Sequence, residues 1–404
     1  MRRLLTILLI PAFVFFMACD KENVPGIEDL PTKTKALINS DNDFGFELLK
    51  KVISETDPAE NLCVSPLSVS LALAMTYNGA AGDTQIAMEE TLKLAGFTRE
   101  EINELYRDLV LAMISDDPKV KMEIANSIWY RNEYTILDDF IQRNEVYYDA
   151  LVESLDFTDP GAKDVINGWV SDKTHKKIES IVDQISPESF MFLINAIYFK
   201  GTWTYEFDKK DTQDLAFYLE DGTVKDVPMM KQEADLNMLK TDLFNAVELP
   251  YGKGNWAMYV LLPNQVYKIG DILEELDSDT WSGYLSDFHE VKEVKLQLPK
   301  WKSEFEVSLN QVLTDMGMGL AFTTQADFSD IAPGLPLSIS DVKHKTFIEV
   351  NEEGTEAAAV TSVEIVLTSI QGEYFVVNKP FIYLITEKTT GAILFAGRIM
   401  DPSI

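Results

Sequence analysis

The sequence predicts one domain of the α+β class with large β-sheets, and three observations support this prediction. The chain has 404 residues, of which 46% are hydrophobic, so it can bury a substantial core. Near the N-terminus, apolar residues recur at helical spacing, as at Phe44, Leu48 and Val52. Later apolar segments are short and bounded by turn residues, as strands are, and no Gly/Ser-rich linker divides them. The predicted strands are residues 191–199, 256–262, 294–298, 346–350, 375–377 and 381–386.

The first helices are predicted from their capping residues. Ser40 or Asp41 is a candidate N-cap for the first helix. Ser65 and the proline after it are a strong start signal, because serine accepts hydrogen bonds from the first turn and proline has no N–H to satisfy. Asn78 and the glycine after it end this helix, and a third helix is predicted over residues 83–92.

The first residues have the order of an export signal. Two arginines precede an apolar stretch over residues 4–16, which is too short to span a bilayer comfortably. The ending Ala18-Cys19 resembles that of a bacterial lipoprotein signal, although Phe16 stands where such signals usually carry leucine. We therefore expect a lipoprotein-type signal peptide over residues 1–18, with ordinary secretion and cleavage elsewhere as the alternative.

Cleavage at this site gives the mature chain a lipid anchor on Cys19. Residues 19–38 are then expected to be a tether, since this stretch is polar and contains two prolines. The folded domain is predicted over residues 39–404. The protein is expected to be exported and held by its lipid in a membrane, at the periplasm or the cell surface, or to be secreted.

The charge of the chain excludes one class of partners. There are 35 Lys and Arg against 66 Asp and Glu, giving a net charge of −31 that is spread over the whole length. Such a surface repels phosphate backbones, so no nucleic-acid partner is expected. An acidic surface steers cationic proteins and also keeps a protein soluble, and both roles remain open. We expect a monomer without cofactors.

Cysteine and histidine are rare and scattered. With Cys19 lipidated, Cys63 has no partner for a disulfide, and its apolar neighbours indicate a buried small hydrophobe. His175, His289 and His344 are isolated from one another and from cysteine. No metal site is therefore expected.

One enzyme hypothesis remains as a remote alternative. Residues 340–343 form an SxxK motif, residues 40–42 an SDN motif, and residues 388–391 approximate KTG. These are the parts of a penicillin-interacting serine hydrolase. Here SDN precedes SxxK, which is the wrong order, and SxxK does not open an apolar helix.

Residues 354–369, GTEAAAVTSVEIVLTS, are patterned as a buried strand but flanked as an exposed loop. In a strand, alternate side chains face opposite sides, and both acids, Glu356 and Glu364, fall on one face. The other face is uncharged and suits the middle of a sheet. We interpret the segment as one with two destinations, although an ordinary strand and turn also fits. The uncharged face consists of Thr355, Ala357, Ala359, Thr361, Val363 and Ile365.

Motifs around this segment resemble those of one protein family. Residues 351–359, NEEGTEAAA, resemble the reactive-loop hinge of the serpins, serine-protease inhibitors that trap their targets by loop insertion. The resemblance extends from about residue 39 to 404, and several motifs in the family's order are very specific. These motifs are residues 61–70 (NLCVSPLSVS), 195–203 (NAIYFKGTW), 327–329 (DFS), 344–345 (HK), 378–381 (NKPF) and 394–398 (LFAGR).

The resemblance implies a fold, a mechanism and a role as an inhibitor rather than an enzyme. The fold has three β-sheets, A, B and C, with about nine helices and an exposed reactive loop over about residues 352–376. In the mechanism, the protease forms an acyl ester with the loop, which then enters the central sheet of a metastable protein; serpin loop insertion is itself a standard example of strand addition and of released strain. The hinge is assigned to Glu352, Gly354, Thr355, Ala357, Ala358 and Ala359.

The composition of the hinge favours inhibition. Gly354 must swing, and only glycine lacks a Cβ that resists unusual dihedrals. Residues that enter the sheet first must be small and uncharged, as Thr355, Ala357 and Ala359 are. Non-inhibitory relatives often carry bulky, charged or proline residues there. The alternative is a serpin-fold protein that serves only as a protease substrate or a surface binding module.

The scissile bond is predicted by two counts. The family's usual spacing from Glu352 places it at Thr368-Ser369. Counting back from residues 378–381 places it one residue later. The assignment therefore holds to within one residue.

The residues before this bond indicate the class of target. No Lys or Arg occurs between Lys345 and Lys379, so a trypsin-like pocket, built around an Asp, has nothing to bind. Ile365, Val366 and Leu367 suit elastase-like and subtilisin-like proteases of host or bacterial origin, and Leu367 suits chymotrypsin-like enzymes. Papain-like cysteine proteases are a second class.

Five further residues are assigned by the resemblance. Ser65, Ser68, Asn195 and His344 match the shutter, a polar cluster under the central sheet where strands part. Trp203 resembles the breach residue, where insertion begins. Buried polar groups need partners, so we expect His344 to be a hydrogen-bonded core residue rather than a catalytic base.

Overall fold

The computed structural model describes residues 26–186, 189–355 and 372–404, in which helices and strands alternate as predicted for an α+β fold. The α-helices of these residues number nine, as expected: α1 Thr32–Glu55, α2 Pro66–Tyr77, α3 Gly82–Thr91, α4 Arg99–Ser115, α5 Asp138–Tyr148, α6 Ala162–Lys173, α7 Ile269–Glu275, α8 Ser278–Asp287 and α9 Asn310–Leu313. The strands are β1 Leu62–Val64, β2 Val120–Arg131, β3 Leu151–Leu155, β4 Met191–Thr202, β5 Gln213–Tyr218, β6 Val224–Lys240, β7 Phe244–Tyr251, β8 Trp256–Pro263, β9 His289–Pro299, β10 Trp301–Ser308, β11 Lys343–Asn351, β12 Gly354–Thr355, β13 Tyr374–Val376, β14 Phe381–Glu387 and β15 Ile393–Ile399.

Helix α1 begins earlier than predicted. Its N-cap is Pro31, so the prediction of a cap at Ser40 or Asp41 was wrong. Leu37 and Ile38, assigned to the tether, are 0% and 1% exposed. Packing of these apolar side chains extends the helix and the folded domain toward the N-terminus. Within the three described ranges, no helix has the length and apolar character needed to cross a bilayer.

Helix α2 is the centre of the core. Ser65 is its N-cap as predicted, and Oγ accepts the N–H of Ser68 at 3.4 Å. The helix is almost entirely buried, because it packs against β4 on one side and β15 on the other. Cys63, just before it, is buried as predicted, and burial raises the pKa of its thiol to about 11.

The strands form two hydrogen-bonded sheets in the described part of the chain. One has six strands in the order β10-β11-β12-β4-β2-β3 and is the central sheet of the resemblance, sheet A. The other has nine, in the order β1-β15-β14-β8-β7-β6-β9-β13 with β5 paired to β6. The six predicted strands are confirmed as β4, β8, β9, β11, β13 and β14.

The sheets expected as B and C are continuous because β6 belongs to both. Residues 224–229 of β6 pair with β5, and residues 229–238 pair with β9. Residues 237–240 pair with β7. Strand β6, with 17 residues, therefore links the strands expected in sheet B to those expected in sheet C. In the expected three-sheet fold, its two halves belong to different sheets.

Candidate functional site: the hinge and the central sheet

The first two residues of the predicted strand-like segment lie inside sheet A. They form β12, which pairs with β11 on one side and β4 on the other, both antiparallel. Thr355 lies opposite Val350 and Gly201. Its side chain is buried, and Oγ1 lies 2.6 Å from Oη of the fully buried Tyr251. The side chain of Thr355 therefore faces the core.

Only glycine fits at position 354. Gly354 has φ +146°, and a Cβ there would lie 2.0 Å from the carbonyl oxygen of Gly201 and 2.9 Å from Cα of Thr202. Any side chain would thus separate β12 from β4. This geometry is consistent with the predicted hinge role of Gly354.

Trp203 lies where β12 meets β4. Its ring stacks on Tyr251, with the centroids 4.4 Å apart and the planes 9° from parallel. Its Nε1 donates to the carbonyl oxygen of Asn351 at 2.9 Å, and its backbone N–H donates to that of Glu353 at 3.0 Å. The predicted breach residue thus holds the backbone at the start of the hinge.

The hinge residue Glu352 and its neighbour Glu353 are buried, which corrects their prediction as part of an exposed loop. Glu352 and Glu353 are 3% and 7% exposed. Carboxylate oxygens of Glu352 accept from Nζ of Lys300 at 2.9 Å and Oγ1 of Thr212 at 2.8 Å, and Glu353 pairs with Lys209. Burial alone would raise the pKa of Glu352, but its hydrogen bonds, above all to Lys300, lower it. These cationic and hydroxyl partners come from distant segments, and no sequence pattern marked them.

Beyond β12, strands β4 and β11 share no backbone pairing in the described residues. The space between them forms two cavities in line with β12. The nearer is lined by Thr355 with Ile197, Phe199, Phe347 and Ile348. The farther reaches α2 and is lined by Ser68, Asn195 and His344. We call this space, from Thr355 to Met191 along β4, the slot.

Hydrogen bonds join the four predicted shutter residues at the far end of the slot. Nε2 of His344 accepts the N–H of Ser65 at 3.0 Å. Ser68 donates its Oγ hydrogen to Oδ1 of Asn195, and Nδ2 of Asn195 donates to Oδ1 of Asn126 at 2.6 Å. The cluster thus runs from β11 through α2 to β4 and β2. Asn126 was missed, although, like Asn195, it is an amide inside an apolar run.

Burial keeps His344 neutral. It lowers the pKa of the imidazole from 6.5 to about 4. A neutral ring can accept the N–H of Ser65 at Nε2, as the geometry requires. The structure therefore places His344 as a hydrogen-bonded core residue.

The motifs of the serine-hydrolase hypothesis do not form a catalytic group. The lysine of SxxK, Lys343, pairs with Asp183 and, at 3.7 Å, with Glu306. Asn42 of SDN donates to the carbonyl oxygen of Gly391, the last residue of the approximate KTG, at 2.9 Å, so these two motifs contact each other, but Lys343 pairs elsewhere. In the described part of the chain, no group of three His, Cys, Asp or Glu side chains could hold a metal ion.

A sheet that contains Gly354 and Thr355 as a short strand, beside a slot between β4 and β11, has the architecture that the resemblance predicts. The sequence model of the family described as Serpin (serine protease inhibitor) matches residues 39–402. This chain belongs to the serpin family.

Similar proteins include a coagulation inhibitor, a thermophilic serpin and a thyroxine-binding globulin. Intracellular coagulation inhibitor 2 of Tachypleus tridentatus is 34% identical over 374 residues, 89% of this chain and 90% of that protein. The native state of tengpin, a thermophilic serpin, has a TM-score of 0.82 at 32% identity and covers 91% of this chain and 94% of its own. Human thyroxine-binding globulin, bound to thyroxine, has a TM-score of 0.83 at 28% identity and covers 91% and 99%.

Several predicted site residues lie outside the described residues. They are the later hinge residues Ala357, Ala358 and Ala359, the bait residues Ile365, Val366 and Leu367, the scissile pair Thr368 and Ser369, and the lipidation residue Cys19.

Proposed function

We propose that this serpin is a covalent, loop-inserting inhibitor of serine proteases with small or hydrophobic specificity. Elastase-like and subtilisin-like enzymes are the main targets, and chymotrypsin-like and papain-like enzymes are further classes. The observation that carries the proposal is β12, which lies in sheet A with Thr355 facing the core.

The pairing of β12 sets a register that the rest of the loop can follow. Antiparallel pairing on both sides, continued from Thr355, brings residue 357 opposite Phe199 and residue 361 opposite Asn195 and His344. Residue 365 then reaches Met191, the first residue of β4. Residues 355–365 thus match the length of the slot.

The same register sorts the side chains by charge. Because side chains alternate along a strand, inward-facing Thr355 places the uncharged face of the segment against α2 and the core. Glu356 and Glu364 fall on the outer face. A register shifted by one residue would bury both carboxylates, which is strongly unfavourable without partners.

The chemistry follows that of serine proteases up to the acyl-enzyme. The protease serine attacks the carbonyl carbon of Thr368, the Thr368-Ser369 peptide bond breaks, and Ser369 leaves with a free amino group. An ester now joins the protease to Thr368. Insertion of residues 356–365 then carries the enzyme along the slot, about 35 Å at the rise of a β-strand, and deacylation stalls.

The test compares two neighbouring alanines that the register sends to opposite faces. The purified domain is incubated with an elastase-like and a subtilisin-like protease and analysed on denaturing gels. Ala359→Asp puts a charge into the core and should give cleaved serpin without a covalent band. Ala358→Asp faces outward and should keep the covalent complex. Absence of a covalent band for the wild-type chain, with cleavage at the loop, would overturn the proposal.

A second candidate is a binding module on the same scaffold. Its support is the likeness to thyroxine-binding globulin, a serpin-fold neighbour whose structure holds a small ligand. Under this alternative, the loop is cleaved as a substrate and no covalent complex forms. The gel assay therefore separates the two functions.

We also propose that the mature protein is exported and anchored by lipid on Cys19. The support is the order of arginines, apolar stretch and Ala18-Cys19 in the sequence. Wild-type chain expressed in bacteria should incorporate labelled fatty acid and sediment with membranes. Cys19→Ala should lose the label, and equal labelling of the two chains would contradict the anchor.

A further inference from the structure

An exposed aromatic side chain lies in the last residues assigned to the reactive loop. Tyr374 is 58% exposed, whereas its neighbour Phe375 is 3% exposed. The alternation follows from β13, which pairs with β9 and turns Phe375 toward the core and Tyr374 toward solvent. Tyrosine is one of the residue types enriched at protein–protein interfaces and among their hot spots.

Strand pairing holds the backbone at Tyr374, and charged side chains lie around its ring. Tyr374 lies opposite Lys295 on β9, and the Lys295 ammonium is 5.2 Å from the centre of its ring. The backbone carbonyl oxygen of the preceding Glu373 accepts the N–H of Lys295 at 2.8 Å, and its side-chain carboxylate pairs with Lys240 at 2.7 Å. We call Lys240, Lys295, Glu373 and Tyr374 the loop-flank surface.

The distance from the bait to this surface is short. This step rests on the proposed scissile bond, from which Ser369 is five residues before Tyr374. Five residues span at most about 18 Å when fully extended. A protease domain of about 200 residues has a radius of gyration of about 16 Å. A protease engaged on the bait is therefore close enough to contact the loop-flank surface.

We propose that the loop-flank surface is a docking site for the body of the target protease and contributes to selectivity beyond the bait residues. One side of the Tyr374 ring is covered by Lys295, and the rest is open to an apolar or aromatic side chain from the rim of the protease cleft. Tyrosine is well suited to this role, because it buries much area at a low cost in side-chain entropy. The partner is thus the protease itself, on the side of the cleft that holds the leaving peptide.

The test measures encounter separately from trapping. For each variant, the second-order rate constant for total loop consumption, cleaved plus complexed, is measured with the elastase-like and the subtilisin-like enzymes. The fraction that ends as complex is measured in the same samples. Tyr374→Ala is compared with Tyr374→Phe, which keeps the ring. Tyr134→Ala is the matched control, because Tyr134 is 38% exposed and follows β2 at the end of sheet A opposite to β12.

The expected result is specific to docking. Tyr374→Ala should lower the consumption rate constant about tenfold with at least one enzyme, the size expected for loss of an interface hot spot, and should leave the complexed fraction unchanged. Tyr374→Phe and Tyr134→Ala should match the wild type. Equal consumption rates for Tyr374→Ala and wild type with both enzymes would overturn the docking site, even if the wild type traps its targets. Loop cleavage without complex in the wild type would refute the inhibitor proposal while the consumption rates still test the surface.

Discussion

Asp41 provides the sharpest test of the electrostatics of this fold. It lies inside α1, 6% exposed, where Oη of Tyr106 on α4 donates to Oδ1 at 2.6 Å. Within the described residues Oδ2 has no hydrogen-bond partner. Burial raises the pKa of Asp41 from 3.8 to about 7, and the hydrogen bond from Tyr106 only partly opposes this. The protonated form is therefore the one that the fold prefers.

The size and the sign of the effect follow from proton linkage. Between pH 3.8 and about 7 the native state holds a proton on Asp41 that the unfolded state has lost. The contribution of this proton to the free energy of unfolding is therefore fully present below pH 3.8 and is lost as pH rises toward 7. One pKa unit corresponds to about 1.4 kcal/mol, so the loss is about 4 kcal/mol in total. Asp41→Asn resembles the neutral acid and avoids this loss.

The assay is denaturant unfolding of wild type, Asp41→Asn and the control Asp43→Asn at pH 4 and pH 8. Asp43 is on the same helix but exposed. The free energy of unfolding of Asp41→Asn should match that of the wild type at pH 4 and exceed it by up to about 4 kcal/mol at pH 8. Asp43→Asn should show no such change. Equal midpoints for Asp41→Asn and wild type at pH 8 would refute the assignment of a buried, neutral acid.

Three further changes test the hinge, the shutter and the buried acid beside the hinge. Gly354→Ala places a Cβ against the backbone of β4 and should lower the fraction of protease held as covalent complex several-fold; an unchanged fraction on denaturing gels would exclude a hinge role. Because burial lowers the pKa of His344 from 6.5 to about 4, protons favour the unfolded state in this window, and wild type should lose about 3 kcal/mol relative to His344→Gln as pH falls from 6.5 to 4. Parallel stability profiles of these two proteins would contradict this pKa. Lys300→Met leaves the buried carboxylate of Glu352 without its cation and should cost about 1–3 kcal/mol, measured as a lower thermal midpoint. Lys302, two residues later and on β10, is exposed, so Lys302→Met should not lower the thermal midpoint in this way. Equal midpoints for the two variants would show that the ion pair is dispensable.

The sequence was most informative where local rules decide the structure. At the start of α2, the Ser65 hydroxyl accepts an N–H of the first turn and the proline has no N–H to satisfy, so the start of that helix was predicted correctly. The alternation of residues 354–369 marked an uncharged face, and Thr355, its first member, faces the core. Of the residues assigned by resemblance, the four shutter residues are joined by hydrogen bonds at the far end of the slot, and Trp203 lies beside β12. Their functional roles stay predictions.

The missed features depend on contacts between distant segments. Asp41 looked like a cap because its carboxylate can bind a helix start, but Tyr106 from α4 binds it inside the core instead. Glu352 looked exposed because acids usually are, yet Lys300 and Thr212 neutralise and hydrogen-bond it. No local pattern contains these partners, since they are 52 and 140 residues away.

The position of β12 has a consequence for how this loop can vary in length. Thr355 already lies in sheet A with its side chain inward, so in the proposed insertion the inward and outward faces of the new strand are set before any protease binds. Deleting one residue shortly after Thr355 would exchange the two faces of everything that follows and turn Glu364 toward α2. Deleting two residues would restore the faces and shorten the strand by one pleat. Length changes between Thr355 and Ile365 should therefore be tolerated in steps of two, whereas the stretch from Val366 onward, beyond the end of β4, is free to change by single residues and to adapt the bait to a new protease.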